Sequence, residues 1–293
     1  MYGKRHRMRL TTAITTGLEQ ATALDRPAAR LRGLVERVPQ GRTRDALHGV
    51  PIGHPLHPML VQVPIGTWIS ASLLDVVPRT GIASGVLIAV GLGAAVPAAA
   101  AGALDWAQTH EQQQRVGLVH ATCNIVGVGL YSASLIARLR RRPLRGRALA
   151  LAGLATVSAG GLLGGHLAYR QAVGANHTED VAHVVGDGSR WHSVGLLSAF
   201  VEGRPARRFL GETPLLVVRD GQRARVLADR CSHLSGPLSE GEVADGRVTC
   251  PWHGSVFALD DGEVVHGPAT APQPVFETRV VHGELQVRLP GAG

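Results

Sequence analysis

The chain has 293 residues, enough for two domains, and its mean hydropathy is slightly positive at +0.09, with 18% charged residues against about a quarter in an ordinary soluble domain. The net charge is +8 and the pI about 10.5, but only 4% of residues are aromatic and the basic residues flank apolar runs, which argues against a nucleic-acid partner and for a membrane. Three cysteines leave no disulfide framework.

Residues 1–47 form a basic N-terminal tail with ten Lys and Arg. The opening, MYGKRHRMRLTTAITTG, holds no sustained apolar run, so no signal peptide is expected. The stretch ATALDRPAARLRGLVERV, Ala21 to Val38, reads either as an amphipathic helix on anionic lipid or as a solvated tail.

Four apolar runs follow, each long enough to cross about 30 Å of hydrocarbon as a helix. They are Met59–Val77, Ile82–Leu104, Val116–Ala137 and Ala148–Tyr169. Short polar turns join them, so residues 48–177 are expected to form an up-down-up-down four-helix transmembrane domain, close-packed through its many Gly and Ala. The alternating direction brings polar residues to one side of the bundle. His54 and His57 precede the first run; Asp105, His110 and Glu111 follow the second; His120 and Asn124 share a face of the third; and His166 closes the fourth. Ionisable groups in spans are candidates for function. Three readings stay open: a haem b held by His120 and His166, a quinone or proton site using these histidines, His57 and Asp105, or a hydrogen-bond network that ties helices together. Asp75, at the far end of the first run, reads as an interfacial cap. The motifs GHPLHPMLVQVPIG, GALDW, HATCN and GGHLAYRQAVGAN resemble a family of four-helix bacterial membrane proteins known as domain of unknown function 2231, which lends no activity.

Past Asn176 the composition changes. PLLVVRD, RARVLAD, RVTCPW, SVFALD, FETRVVHG and ELQVRLP read as short strands separated by Gly and Asp turns, so residues 178–293 are expected to be a small antiparallel β domain without a long helix. Within it, CSH and CPWH place Cys231, His233, Cys250 and His253 in two loops, with sixteen residues between His233 and Cys250. A zinc finger would set two Cys first and two His later. Here each loop mixes one thiol with one imidazole, which suits a two-iron cluster with both thiolates on one iron and both imidazoles on the other.

The run CSHLSGPL to CPWHGSVFALDDGEVVHGPA closely resembles the Rieske iron–sulfur family, over about residues 178–290. The resemblance implies a 2Fe-2S cluster with Cys231 and Cys250 on one iron and His233 and His253 on the other, the second iron being the one reduced, with proton uptake at imidazole linked to it. Gly236 and Trp252 stand where Rieske proteins of cytochrome bc complexes carry a disulfide. Ser255 stands where a hydroxyl can donate to a cluster sulfur, and Phe257 where high-potential members have Tyr. The expected potential is therefore low to intermediate within the range of about −150 to +300 mV. Trp252 is expected to cover the cluster, and His266 to be a surface or turn residue and not a ligand.

The fold class is thus a four-span α-helical membrane bundle followed by a small all-β Rieske domain. No segment is left for the facial triad of a mononuclear oxygenase iron, so the reading is an electron-transfer component without its own catalytic site. The alternative is a membrane scaffold whose cluster senses redox state. Expected partners are membrane lipid and an electron donor or acceptor, either a protein or a quinone. The expected location is a bacterial-type cytoplasmic membrane. Six Arg in RLRRRPLRGR argue for the cluster outside the cell; the basic tail and the missing disulfide tip the reading to a cytoplasmic cluster.

Overall fold

The computed structural model describes residues 10–185 and 190–289. The chain divides into two compact units. One takes the residues through Pro39 together with Leu56–Val173; the other takes Gln40–Pro55 together with the chain from Gly174 onward. The sequence places boundaries after residues 47 and 177. The main difference is the segment 40–55, which packs within the C-terminal unit.

In the first unit, α1 (Leu10–Glu19) and α2 (Asp25–Val35) pack on the bundle. Part of the stretch expected as an amphipathic helix, Asp25–Val35, is thus helical and packs on the bundle. Arg115, buried at the start of a long helix, holds it: Nε and Nη2 donate to the two Asp25 carboxylate oxygens at 2.6 and 3.0 Å, and Nη1 donates to the Glu19 carbonyl at 2.7 Å. The chain then leaves for α3 (Arg42–His48), in the second unit, and returns at α4 (Leu56–Leu60).

The helices α5 (Gln62–Leu74), α6 (Gly81–Ala107), α7 (Glu111–Leu139) and α8 (Pro143–Tyr169) complete the unit. Among the described residues three helices, α6 to α8, are long and apolar enough to cross a membrane. The first expected span is instead two helices, α4 and α5, interrupted at Val61. Pro64 lacks an N–H to return to the Leu60 carbonyl, and its ring crowds the preceding turn. The bonds from Val61 N–H to His57 O and from Ile65 N–H to Val61 O carry the ladder across the break.

The bundle core is Trp68, Ala71, Ile88, Tyr131, Ala150 and Val157. Trp68 stacks on Tyr131 with ring centroids 4.3 Å apart. Glycines let these rings sit against backbone: a Cβ on Gly91 would lie 2.3 Å from Trp68 Nε1, and one on Gly153 would lie 3.0 Å from Tyr131. Ile82, Val96, Ile125, Leu151 and Leu162 point outward, as a lipid-facing surface requires. Asp75, the C-cap of α5, also makes a two-pronged ion pair with Arg138 of α7, at 2.9 and 2.5 Å, so the cap is tied to a neighbouring helix as well.

The second unit carries two antiparallel sheets. The larger has six strands in the order β1 (His192–Leu196), β10 (Glu284–Arg288), β9 (Val275–Val281), β4 (Arg223–Ala228), β3 (Thr213–Asp220), β2 (Pro205–Leu210). The smaller runs β5 (Glu242–Ala244), β6 (Arg247–Thr249), β7 (Val256–Ala258), β8 (Val264–His266). The apolar run of β3 is buried on both faces. Leu215 and Val217 join a core with Phe200, Val226 and Leu285; Leu216 and Val218 join a second core with Val248, Phe257, Cys231 and Cys250. That second core is the floor on which the two Cys-His loops stand. The only α-helix described in the C-terminal part of this unit is the four-residue α9 (Val181–Val184).

Candidate metal centre

The two loops fold the same way although their sequences differ. In the first, which follows β4, Cys231 N–H donates to Gly236 O at 2.8 Å and Ser235 N–H returns to Cys231 O at 2.8 Å. In the second, between β6 and β7, Cys250 N–H donates to Ser255 O at 2.8 Å and Gly254 N–H returns to Cys250 O at 3.1 Å. The fourth residue after each Cys has positive φ, 62° at Ser235 and 74° at Gly254. One of the two loops meets this need with the residue type that bears it without strain.

The matched turns aim donors by type. Cys231 and Cys250 are buried, at 1% and 3% exposure, and His233 and His253 are half-buried. The imidazoles meet edge to face with ring centroids 5.1 Å apart. The two thiols share a hydrogen bond, which holds Cys250 down, at about 7, and pushes Cys231 up. Backbone N–H groups of His233 and Leu234 point at Cys231 Sγ, and those of Trp252 and His253 at Cys250 Sγ; these favour thiolate. Among the described residues no three His, Cys, Asp or Glu side chains converge on one ion. A 2Fe-2S cluster asks for only two protein donors per iron, sulfur on one and nitrogen on the other, and this donor set fits it.

Close approach needs Gly236: a Cβ there would lie 2.8 Å from Cys250 Sγ and 3.1 Å from Trp252 Cγ. The Trp252 ring lies against this glycine and edge-on to His253, with 49% exposure, so it shields one flank and not the whole site.

A third loop, between β8 and β9, braces the other two. Ala269 N–H donates to Ser255 Oγ at 3.0 Å, and Ser232 Oγ donates to Ala271 O at 2.7 Å. Gln273 accepts from Ser232 N–H at 2.8 Å and donates to the carbonyls of Ala228 and Arg230. Buried Asp229 accepts from Ser239 N–H and Oγ and from Arg207 Nε, fixing the exit of the first loop. His177 N–H donates to Ser232 O. None of these roles stands out in the sequence. The partners lie up to 55 residues apart, so no local spacing marks them. His266 pairs with Asp45, which the sequence reading left unremarked in the tail.

The membrane histidines are engaged otherwise. His120 Nδ1 donates to Gly160 O at 2.7 Å, and its Nε2 meets Asn124 Nδ2 at 3.1 Å. His57 Nδ1 donates to Ala98 O at 2.8 Å from a notch that Gly102 leaves open. His166 Nε2 bonds Glu19 at 2.8 Å. His110 caps α7, with Gln113 returning the bond. Asp105 is half-buried in the last turn of α6, and His54 is exposed in the segment 40–55. His57 and His120 come together at 6.4 Å, but His120 and His166 do not form an axial pair: both nitrogens of His120 are already used. These residues do not fit a bis-imidazole haem. His57, His120 and His166 tie helices together.

Residues 190–277 match the family model of the Rieske 2Fe-2S domain, and residues 53–177 match that of a predicted membrane protein, DUF2231. The ferredoxin subunit of anthranilate 1,2-dioxygenase from Burkholderia cepacia is 37% identical over 101 residues, which span 34% of this chain and 94% of that protein. Ferredoxin CarAc from Metapseudomonas resinovorans is 37% identical over 78 residues, 27% of this chain and 73% of that one. A solved complex of reduced oxygenase and oxidized ferredoxin in carbazole 1,9a-dioxygenase contains a chain 34% identical, covering 33% of this chain and 92% of that one, with a TM-score of 0.32. The class defined here is a cluster-binding β domain joined to a helical membrane domain. The chain belongs to the Rieske 2Fe-2S family.

Proposed function

We propose that this protein is a membrane-anchored Rieske ferredoxin that passes single electrons, with Cys231 and Cys250 ligating one iron and His233 and His253 the other. The observation that carries the reading is the pair of matched turns, which sets both thiols inward on the apolar floor and leaves both imidazoles half-buried beside them. When bound, the cluster supplies one-electron chemistry. The chain holds the thiolates with four backbone N–H groups and keeps water from the sulfur side. Ser255 Oγ accepts from Ala269 N–H, which leaves its own proton free to donate toward a cluster sulfur. The half-exposed imidazole edge is the exit to a partner, and the ferredoxin subunits among the relatives point to an oxygenase component as the class of acceptor. The test is EPR of the dithionite-reduced protein. The expected signal is anisotropic with low average g, and His253→Cys should raise the average g and lower the potential. Colourless protein that contains zinc would refute the reading.

A second reading concerns the electron donor. A groove of about 430 Å³ runs between α1 and α8, lined by Thr11, Thr12, Thr15, Gly161, His166 and Arg170, polar enough for the carbonyls of a quinone at the lipid interface. Added quinol should bleach the oxidised cluster in wild type and not in His166→Leu. Bleaching followed by sustained turnover also separates transfer from sensing. We further place the cluster unit in the cytoplasm, because Gly236 and Trp252 stand where a protecting disulfide would join the two loops; a reporter fused after Asn176 tests this.

A further inference from the structure

The segment 40–55 lies almost entirely outside both matched stretches, yet it belongs to the cluster-bearing unit. Its centre is Asp45 in α3, a side chain with little exposure. One carboxylate oxygen accepts the Gly267 N–H at 3.0 Å and the other accepts from His266 Nδ1 at 2.9 Å. Both acceptors of this buried carboxylate are thus spent on the start of the third loop. His48, 1% exposed, and Val50 close over the same spot: a Cβ on Gly267 would lie 3.1 Å from Val50 Cγ2 and 3.4 Å from His48. Beyond Gly267 the loop runs directly to Ala269, which bonds Ser255 in the second ligand loop, and to Ala271 and Gln273, which bond Ser232 in the first.

We infer that the segment 40–55 is a strap that belongs to the metal centre, and that Asp45 is a positioning residue acting through the third loop on both ligand loops at once. The inference rests on the cluster reading above. A carboxylate more than 180 residues before the first ligand thereby sets how firmly the four donors are held. Its chemical partner is not the metal but the two N–H groups that keep the bracing loop against Ser255 and Ser232.

The experiment uses the full-length chain in detergent. Wild type is measured first, and absence of a nitrogen-ligated 2Fe-2S signal there would sink the cluster reading itself. Given that signal, Asp45→Ala and Asp45→Asn should release iron to a chelator about tenfold faster or more, the scale expected when a buried charged hydrogen-bond partner is removed. They should also shift the reduction midpoint and the EPR lineshape, and raise amide exchange at residues 267–271 in the metal-free protein. His266→Ala keeps the Gly267 bond and should act more weakly in the same direction. Val226→Ala, in the core on the other face of the large sheet, should lower thermal stability without moving the midpoint. Should Asp45→Ala fail to fold, Asp45→Asn and His266→Ala decide. Folded variants with wild-type iron release, midpoint and lineshape overturn the inference, even if their melting temperature falls.

Discussion

Replacing Gly236 by alanine adds one methyl group where two ligand loops touch. The backbone there does not adopt positive φ, so the substitution tests contact alone. The new Cβ would stand 2.8 Å from Cys250 Sγ, well inside the 3.4 Å at which ordinary contact begins, and 3.1 Å from Trp252 Cγ. The Trp252 ring is half-exposed and can swing away; the sulfur cannot, because two backbone N–H groups and the apolar floor hold it. Overpacking of this kind costs about 1–3 kcal/mol. Spent on displacing a ligand, it weakens cluster retention by about five- to one-hundred-and-fifty-fold. Iron per chain, visible absorbance after chelator challenge and thermal midpoint give the assay. The control is Gly33→Ala in α2, where no heavy atom lies within 4 Å, so the protein should be unchanged or more stable by up to about 1 kcal/mol. A Gly236→Ala protein with full iron, wild-type absorbance and an unchanged midpoint would refute the argument that the loops meet as closely as described.

Ser255→Ala should lower the reduction potential by on the order of 40 mV, the one-electron equivalent of about 1 kcal/mol for a hydrogen bond that favours the more negative reduced state. A potentiometric titration checks it, and a raised or unmoved potential would show that the hydroxyl faces elsewhere. The Arg115 hydrogen bonds hold the Asp25 carboxyl below its ordinary range. The latch on α1 and α2 is therefore in place above the ordinary Asp pKa and is lost as pH falls through the lowered value. Proteolytic protection of residues 10–35 should follow that course, and a loss of protection centred near neutrality would contradict it. Asp75 and Arg138 are each only 9% exposed, so Asp75→Ala alone should destabilise the bundle by about 3–5 kcal/mol by stranding the guanidinium. The double variant Asp75→Leu with Arg138→Leu should recover much of that loss in thermal unfolding. A double variant no better than the single one would show that the pair is not a buried charge couple.

Chemistry was legible in the sequence wherever it depends on neighbours along the chain. Mixed Cys-His spacing marked both loops, the short Val-rich strand runs β3, β4, β6, β7, β9 and β10 stood out between turns, and the long apolar helices α6 to α8 declared themselves by length. The strands β1, β2, β5 and β8 were missed, being short or broken by charge, and take their structure from the strands beside them. Pro64 was visible in the first apolar run, but a sum of hydropathy does not register a missing N–H.

The sequence by itself determined which thiols and imidazoles share the two loops and the existence of two kinds of domain, because side-chain identity and apolar length are properties of contiguous residues. Only the tertiary structure decided that His120 spends both nitrogens on Gly160 and Asn124, that Gln273 and Asp229 hold the loops, and that Asp45 reaches His266 and Gly267. Each of those choices is a hydrogen bond whose donor and acceptor meet only after the chain has folded back on itself. A buried polar group is bound to find some partner, and the fold selects which one.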